Sequence, residues 1–177
     1  MSKTALIADI GGTNARFGIV DSQGVRDLVY LECKNYTGPV EAAEAYFEQI
    51  GMRDRPEVGV FAVAGPVVAD LVNFTGSPWN FRISKVQEKM GFQLFETMND
   101  FKAVALAIPD ISPTLLHKMG GPEPQDGWAK GVIGPGTGLG VASLIWDGKD
   151  YVANPGEGGH VTIPATTDRE LDRKSVV

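Results

Sequence analysis

An α/β fold built on a mixed sheet is the architecture that the sequence predicts. Two observations carry the prediction. Three strand-like segments joined by short turns come first, and strands that alternate with helices follow them. Hairpin-linked strands pair antiparallel and helix-linked strands pair parallel, so one sheet should hold both kinds of pairing. This order does not fit the all-parallel sheet of a Rossmann domain.

The first three segments are typical of an antiparallel meander. They are Thr4–Ile10, Ala15–Val20 and Leu28–Lys34, which are rich in β-branched and apolar residues and have short connections. The glycine pair Gly11-Gly12 ends the first segment. We therefore expect three strands that turn back on one another at the start of the chain.

The next segments alternate between helical and strand patterns. Val40–Ile50 has the helical period, with Ala43 and Phe47 on one face and glutamates elsewhere. Two strands are predicted after it, at Glu57–Ala64 and Ala69–Phe74.

A second helix and a third strand–helix unit come next. Ser84 and Gln87 have the spacing of a capping box, which predicts a helix start at Ser84, and Gly91 should end that helix. Gln93–Met98 is predicted as a strand and Asp100–Ile108 as an alanine-rich helix.

The later part of the chain is punctuated by glycine and proline. Residues 111–130 lack periodicity and are the best candidate for a domain boundary. Beyond them, three strands are predicted at Lys130–Ile133, Gly140–Trp146 and Asp150–Ala153. Asp147-Gly148 is typical of a two-residue hairpin turn between the last two.

Composition limits the partners of the chain. Hydrophobic residues make up 43% of it, and the net charge is −6. Nucleic-acid affinity depends on neutralising phosphate charge, so an acidic chain without a basic cluster predicts no nucleic-acid partner. No apolar run reaches the length of a membrane span and the start lacks a signal peptide, so we expect no membrane partner and a cytoplasmic protein. The single cysteine, Cys33, is expected to be an inert, buried thiol.

A glycine-rich turn occurs twice. In IADIGGTNARFGIV and in GVIGPGTGLGVASLI, a strand leads into a Gly-Thr turn and then a second strand, so Gly12-Thr13 aligns with Gly136-Thr137. Such a turn lets backbone N–H groups and a threonine hydroxyl converge on a phosphate. A single turn of this kind is more often only a turn, but the repetition favours two phosphate-binding turns that hold one polyphosphate from both sides. The spacing matches neither a Walker loop nor GxGxxG.

Acidic side chains stand at two strand ends. Asp9 ends the first strand between apolar neighbours, where its carboxylate is placed to hold Mg²⁺ beside the phosphates. The alternative is an ordinary surface aspartate. Asn99-Asp100 follows a strand and opens a helix, where an aspartate either caps the helix or acts as a general base toward a hydroxyl. The helix dipole should help to keep Asp100 ionised.

The segment Gly156–His160 is a second polar cluster. Glu157 and His160 stand in a glycine turn, where both side chains can reach one small polar ligand. A sugar has vicinal hydroxyls that donate and accept hydrogen bonds, which suits this pair. The alternative is a glycine-rich loop with incidental polar residues.

Five ordered segments resemble those of a known family. DIGGTNARFGIV, AGPV, MNDFKAVALAIP, GPGTGLGVA and PGEGGHV stand in the order found in bacterial glucokinases, from Lys3 to about Pro164. The resemblance implies the actin-like (ribonuclease H-like) ATPase fold of these sugar kinases. It also implies phosphorylation of the 6-hydroxyl of glucose, with ATP and Mg²⁺ as cofactors.

The resemblance assigns a role to each candidate residue. Asp100 resembles the catalytic base, Asn99 contacts the sugar with it, and Glu157 and His160 are further sugar contacts. Asp9 resembles the aspartate linked to Mg²⁺. The residues that resemble phosphate contacts are Gly11, Gly12, Thr13 and Asn14 in the first turn and Gly136, Thr137 and Gly138 in the second.

Members of that family are nearly twice as long as this chain. The resemblance therefore implies that residues 1–110 form a first, small lobe with the phosphate hairpin and the catalytic aspartate. Residues 111–177 would be the truncated start of a second, large lobe. We expect such a chain to bind ATP weakly and to turn over little.

Two alternatives to a kinase remain open. One is a non-catalytic fragment that binds sugar or dimerises, because uncovered strands after Gly131 should expose an apolar edge and favour a homodimer. The other is a sugar-responsive regulator on the same scaffold. It would need a DNA-binding segment ahead of Thr4, and it fits the acidic charge poorly.

Overall fold

The chain folds around a five-stranded mixed sheet. A computed structural model describes residues 4–74, 79–135, 139–156 and 158. Its helices and strands are, in chain order, β1 (Ala5–Ile10), β2 (Asn14–Asp21), β3 (Gly24–Glu32), α1 (Pro39–Ile50), β4 (Val58–Val63), β5 (Val67–Val68), β6 (Leu71–Asn73), β7 (Asn80–Arg82), α2 (Ile83–Met90), β8 (Leu94–Asn99), α3 (Asp100–Ala107), β9 (Lys130–Pro135), β10 (Leu139–Trp146) and β11 (Tyr151–Gly156).

The large sheet has the strand order β3-β2-β1-β4-β8. β1 pairs antiparallel with β2, and β2 with β3, as predicted for the opening meander. β1 pairs parallel with β4, and β4 with β8, because a helix intervenes before β4 and again before β8. These pairings confirm the mixed α/β sheet.

One face of this sheet carries the main core. Alternate residues of the strands point to it, and Leu6, Phe17 and Phe61 are each fully buried there. α1 and α2 pack into the same cluster, and Ala42, Ala43, Tyr46 and Phe47 of α1 are buried there at the three- and four-residue spacing of an apolar helix face. Cys33 is buried in this cluster, as predicted, and burial raises the pKa of its thiol, which disfavours the reactive thiolate.

α3 lies between the large sheet and a second, three-stranded sheet. That sheet has the order β11-β10-β9, with antiparallel pairing throughout. Ala105 of α3 packs with Val132, Ala142 and Leu144 in a separate small core. The opposite face of the small sheet is open, with Ile133 69% and Val152 53% exposed.

The start of α2 differs from the predicted capping box. The residue before the helix is Arg82, which makes no side-chain cap. Ser84 does not cap the helix; its N–H and its hydroxyl both donate to the carboxylate of Asp70, at 2.7 and 2.8 Å. A carboxylate from the turn between β5 and β6 therefore satisfies one free amide of the first helical turn, which a local sequence pattern does not reveal. Gly91 ends α2 in the left-handed conformation, as predicted.

The hairpin between β10 and β11 has a longer loop than predicted. Trp146 pairs with Tyr151, so residues 147–150 form a four-residue loop. The carboxylate of Asp147 accepts the N–H groups of Lys149 and Asp150, both at 2.8 Å, and this Asx-type turn needs the two extra residues.

The structure bears on two further expectations, the absence of a membrane span and the division into lobes. Among the described residues, no helix has both the length and the apolar character that crossing a bilayer requires. The boundary between lobes at residues 110 and 111 stays a prediction. The two cores instead divide between β8, whose Phe95 belongs to the main core, and α3, whose Ala105 belongs to the small core.

Candidate functional site

The predicted site residues that the structure describes gather at one edge of the large sheet. β1, β4 and β8 run parallel, so their carboxyl ends lie side by side. Asp9 is the second-last residue of β1, and Asn99 is the last of β8. Pairing through β4 therefore brings together two side chains that are 90 positions apart in the sequence. This edge is where ligands bind in open α/β sheets.

The first glycine turn joins β1 to β2 with its carbonyl groups facing inward. The N–H of Gly11 donates to the Asn14 oxygen at 2.9 Å, and the N–H of Cys33 donates to the Thr13 oxygen at 2.9 Å. The Cys33 thiol donates to the Gly11 oxygen. The described part of the chain offers no acceptor to the N–H groups of Gly12 and Thr13. Two free amides in a tight turn are suited to an anion.

Asp9 is half-exposed and paired with a cation. Its carboxylate accepts a hydrogen bond from Nη1 of Arg16 at 2.7 Å, across the β1–β2 ladder. The Arg16 guanidinium also stacks over the Tyr30 ring, 5.3 Å from its centroid. The sequence analysis left Arg16 without a role, and the structure places it as the charge partner of Asp9. The apolar neighbours of Asp9 point to the other face and do not surround its carboxylate.

Asn99 and Asp100 share the start of α3. Asn99, not Asp100, is the N-cap residue, and its side-chain oxygen accepts the N–H of Lys102 at 3.1 Å. Asp100 is the first helical residue, and its carboxylate accepts the N–H of Phe101 at 2.8 Å. Both side chains are half-buried. The capping role that the sequence left open for Asp100 thus belongs to its neighbour.

The Asp100 carboxyl has a raised pKa. Burial is the main cause, and the negative charge of Asp9 adds to it. The hydrogen bond from the Phe101 N–H acts in the opposite direction, as expected at a helix start, but burial outweighs it. The two carboxylates are therefore close enough to interact, and the environment favours a carboxyl that binds a proton readily.

A cavity of about 290 Å³ lies beside Asn99. Its walls come from the turn after β4, the end of β8, the start of α3 and the end of β11. Gly156, the first residue of the predicted sugar turn, is one of the lining residues and so lies near Asn99. The lining residues are Pro66, Val67, Thr97, Met98, Asn99, Lys102, Pro155 and Gly156.

Two lining residues escaped the sequence analysis. Lys102 lies one helical turn after Asn99, and this spacing was the available signal. Thr97 is buried, and its hydroxyl has no hydrogen-bond partner within the described ranges. Period-two alternation in β8 places Thr97 on the buried face, but nothing in the sequence marks its hydroxyl as unpaired.

Five predicted site residues fall outside the described residues. They are Gly136, Thr137 and Gly138 of the second turn and Glu157 and His160 of the sugar turn. The strands that flank the second turn are described, and Pro135 pairs with Leu139 directly across it.

The acidic side chains at this edge suit a cation that also binds ligands from outside the protein. Within the described residues there is no cluster of three or more acidic, histidine or cysteine side chains that would enclose a metal. Mg²⁺ is commonly held by one or two carboxylates together with substrate phosphates and water. The carboxylate of Asp9, just before the Gly12 and Thr13 amides, is of the kind that this arrangement uses.

Comparisons with known proteins agree with one another. The family model for glucokinase matches residues 6–175. The glucokinase of Paramagnetospirillum magneticum is 43% identical over 98% of this chain and 56% of that protein. The glucokinase of Aromatoleum aromaticum is 38% identical over 97% of this chain and 53% of that protein. A crystal structure of a glucokinase from an Antarctic psychrotroph superimposes with a TM-score of 0.83 at 29% identity, covering 96% of this chain and 54% of that one.

These findings define first a class and then a family. The mixed sheet and its structural neighbours place the chain in the actin-like ATPase fold of sugar kinases. The chain belongs to the glucokinase family. It spans about half the length of the curated relatives that it matches.

Proposed function

We propose that this chain carries the first phosphate turn and the sugar-facing base of an enzyme that transfers phosphate from ATP to the 6-hydroxyl of glucose. The observation that carries the proposal is the shared sheet edge. There Asp9 leads into the turn whose Gly12 and Thr13 amides have no acceptor among the described residues, and its charge acts on Asp100, a half-buried carboxyl of raised pKa. Phosphoryl transfer needs these two elements in one place, a cradle for the phosphates and a group that takes the proton of the attacking hydroxyl.

Each predicted site residue has a part in this proposal. Asp100 takes the proton of the 6-hydroxyl, and Asn99 orients the sugar at the mouth of the cavity that it lines. Asp9 holds Mg²⁺ through its carboxylate. The remaining assignments are Gly11, Gly12, Thr13, Asn14, Gly136, Thr137 and Gly138 toward the phosphates of ATP, and Glu157 and His160 toward the sugar hydroxyls.

The bound metal would supply charge neutralisation between the phosphates, which is a large part of catalysis in phosphoryl transfer. Arg16 bears on how Asp9 takes part. Its guanidinium holds the Asp9 carboxylate at 2.7 Å, so Arg16 fixes the orientation of that carboxylate beside the turn.

We further propose the cytoplasm as the compartment, because the reaction draws on ATP.

A chimaera tests the proposal. Residues 1–177 would replace the matching part of the Paramagnetospirillum magneticum glucokinase, which is 43% identical over this range. The rest of the relative then supplies what a half-length chain lacks. We expect formation of glucose 6-phosphate from glucose and ATP in a coupled assay. A chimaera that is folded by circular dichroism and forms no sugar phosphate would contradict the proposal.

Asp100→Asn tests the base assignment in the same chimaera. The change keeps the shape of the side chain and removes its ability to accept a proton, so kcat should fall by about 10²–10⁴-fold while the KM for glucose changes far less. Asp110→Asn is the matched control, because Asp110 is exposed and lies beyond the end of α3. Turnover of Asp100→Asn at the wild-type rate would show that the base is elsewhere.

One observation favours a second candidate, a sugar-binding fragment that dimerises. The open face of the small sheet exposes Ile133, Ile145 and Val152, each by half or more of its surface. A contiguous apolar face of this kind promotes association. Sedimentation of the 177-residue chain should then show a homodimer, and Ile145→Lys should weaken it. A monomer at high protein concentration would rule out the homodimer.

A further inference from the structure

Two glycines that face each other across the β9–β10 ladder leave a notch in the small sheet. Gly134 pairs with Gly140 in the antiparallel register. A Cβ atom at Gly134 would lie 2.6 Å from Cζ of the Phe101 ring, and a Cβ at Gly140 would fall inside the volume of that ring. The Phe101 ring therefore occupies the space that two side chains would otherwise fill.

Phe101 is also bonded to the polar pair that precedes it. Its main-chain N–H donates to the Asp100 carboxylate at 2.8 Å. The next N–H, of Lys102, donates to the side-chain oxygen of Asn99 at 3.1 Å. Both polar side chains are thus tied to the first turn of α3. A displacement of that turn would move the carboxylate and the amide together.

We propose that Phe101 is a positioning residue, whose ring in the Gly134–Gly140 notch fixes the start of α3 against β9 and β10. The proposal rests on the proposed function, because it gives the notch a purpose in catalysis. β9 and β10 are the strands that flank residues 136–138, the predicted second phosphate turn. The ring thereby sets how far the base at Asp100 stands from the ends of β9 and β10.

The position of Asp100 matters because the rate of the reaction depends steeply on the distance between the reacting groups. In oriented reactions, a misplacement of about 1 Å can lower the rate by about 10²-fold. Phe101 is partly buried and packs against the small core around Ala105 and Leu144. The first turn of α3 thus contacts the small sheet through the ring of Phe101, the residue next to Asp100.

Variants on both sides of the notch separate positioning from stability. Phe101→Leu shortens the side chain that fills the notch, and Gly140→Ala places a methyl group where the ring lies. Gly131→Ala is the matched control, because it makes the same change in β9 at a position where a Cβ meets nothing within 4 Å. The three variants differ in whether they disturb the ring.

Amide hydrogen exchange of the 177-residue chain gives a readout that does not depend on activity. In Phe101→Leu we expect exchange at the residue-101 and Lys102 amides to become about tenfold faster or more, relative to the Leu106 amide in the last turn of α3. A purely structural role would speed exchange along the whole helix by the same factor. Uniform acceleration, or none, would overturn the proposal.

Steady-state kinetics of the chimaera give the second readout. Phe101→Leu should lower kcat by about 10-fold to 10²-fold, with the KM values for glucose and ATP within about twofold of the wild-type values. Gly131→Ala should leave all three near the wild-type values. A kcat of Phe101→Leu equal to that of Gly131→Ala would overturn the proposal. An inactive chimaera with wild-type residues would contradict the proposed function, while the exchange experiment still decides the role of Phe101.

A compensating pair completes the test. The added methyl of Gly140→Ala and the smaller side chain of Phe101→Leu change the filling of the notch in opposite directions. The double variant should therefore recover part of the kcat and of the local exchange protection lost in each single variant. Strictly additive losses would show that the two positions do not act through one contact.

Discussion

Replacing Trp79 by phenylalanine tests how the first glycine turn is held in place. The indole is 1% exposed, and its N–H donates to the main-chain oxygens of Cys33 and Tyr36, at 3.1 and 3.0 Å. Cys33 in turn donates its N–H to the Thr13 oxygen and its thiol to the Gly11 oxygen. The turn thus depends on Trp79 through one intervening residue.

The cost of Trp79→Phe has two parts. The buried Cys33 oxygen and the part-buried Tyr36 oxygen lose the indole N–H that they share, which costs about 2 kcal/mol in all. The smaller ring also leaves space in the core, which adds about 1–2 kcal/mol for a partial truncation. The sum is about 3–4 kcal/mol. This is a large share of the roughly 5–15 kcal/mol by which domains are stable.

Urea unfolding followed by far-UV circular dichroism measures this loss, since tryptophan fluorescence changes with the substitution itself. Trp128→Phe is the control, because Trp128 is 56% exposed and should cost less than about 0.5 kcal/mol. A loss below about 1 kcal/mol in Trp79→Phe, or equal losses in both variants, would refute the view that the indole anchors the turn.

Three further predictions concern stability. Because the pKa of Asp100 is raised in the folded state, the unfolding free energy should fall as the pH rises above 3.8, the ordinary value for Asp, through the raised pKa. Asp100→Asn should remove that fall. Urea unfolding should therefore find the variant more stable than the wild type at pH 7 but not at pH 3. A stability difference that stays constant across pH would contradict this prediction. Thr97→Val replaces an unpaired hydroxyl by a methyl group of the same shape, so the unfolding free energy should stay unchanged or rise by about 1 kcal/mol, and a loss would reveal a hydrogen bond outside the described residues. Gly91→Ala places a Cβ at a φ of 71°, which should cost about 1 kcal/mol by the same method, and a neutral result would exclude the left-handed cap.

Local pattern was sufficient for most elements of this fold. The helical period of α1 and the glycine that ends α2 are properties of neighbouring residues, and both appear in the structure where the sequence predicts them. The mixed pairing followed from element order alone, since hairpins and helical crossovers impose opposite strand directions. The same reasoning placed Asp9 and Asn99 at strand ends, and parallel strands bring such ends together.

Contacts between distant residues were beyond the reach of pattern. The carboxylate of Asp70 accepts the N–H of Ser84 from 14 residues away. The predicted capping box, which pairs Ser84 with Gln87, was therefore wrong. The pairing of Asp9 with Arg16 depends on the register of two strands. The pKa of Asp100 depends on how much of the protein covers it, which sequence reasoning judged from the helix start alone.

The glycines of the two turns illustrate why a repeated pattern need not have a single cause. The first turn suits its predicted purpose, since the amides of Gly12 and Thr13 have no acceptor among the described residues. Gly134 and Gly140 belong to the second repeat in sequence, yet their lack of side chains serves Phe101, which comes from a different element. A predicted phosphate motif and an observed packing requirement therefore share one glycine-rich segment. The packing of Phe101 against Gly134 and Gly140 joins β9 and β10 to the helix start that carries Asp100, so under the proposed function this ring would set the position of the base relative to the small sheet.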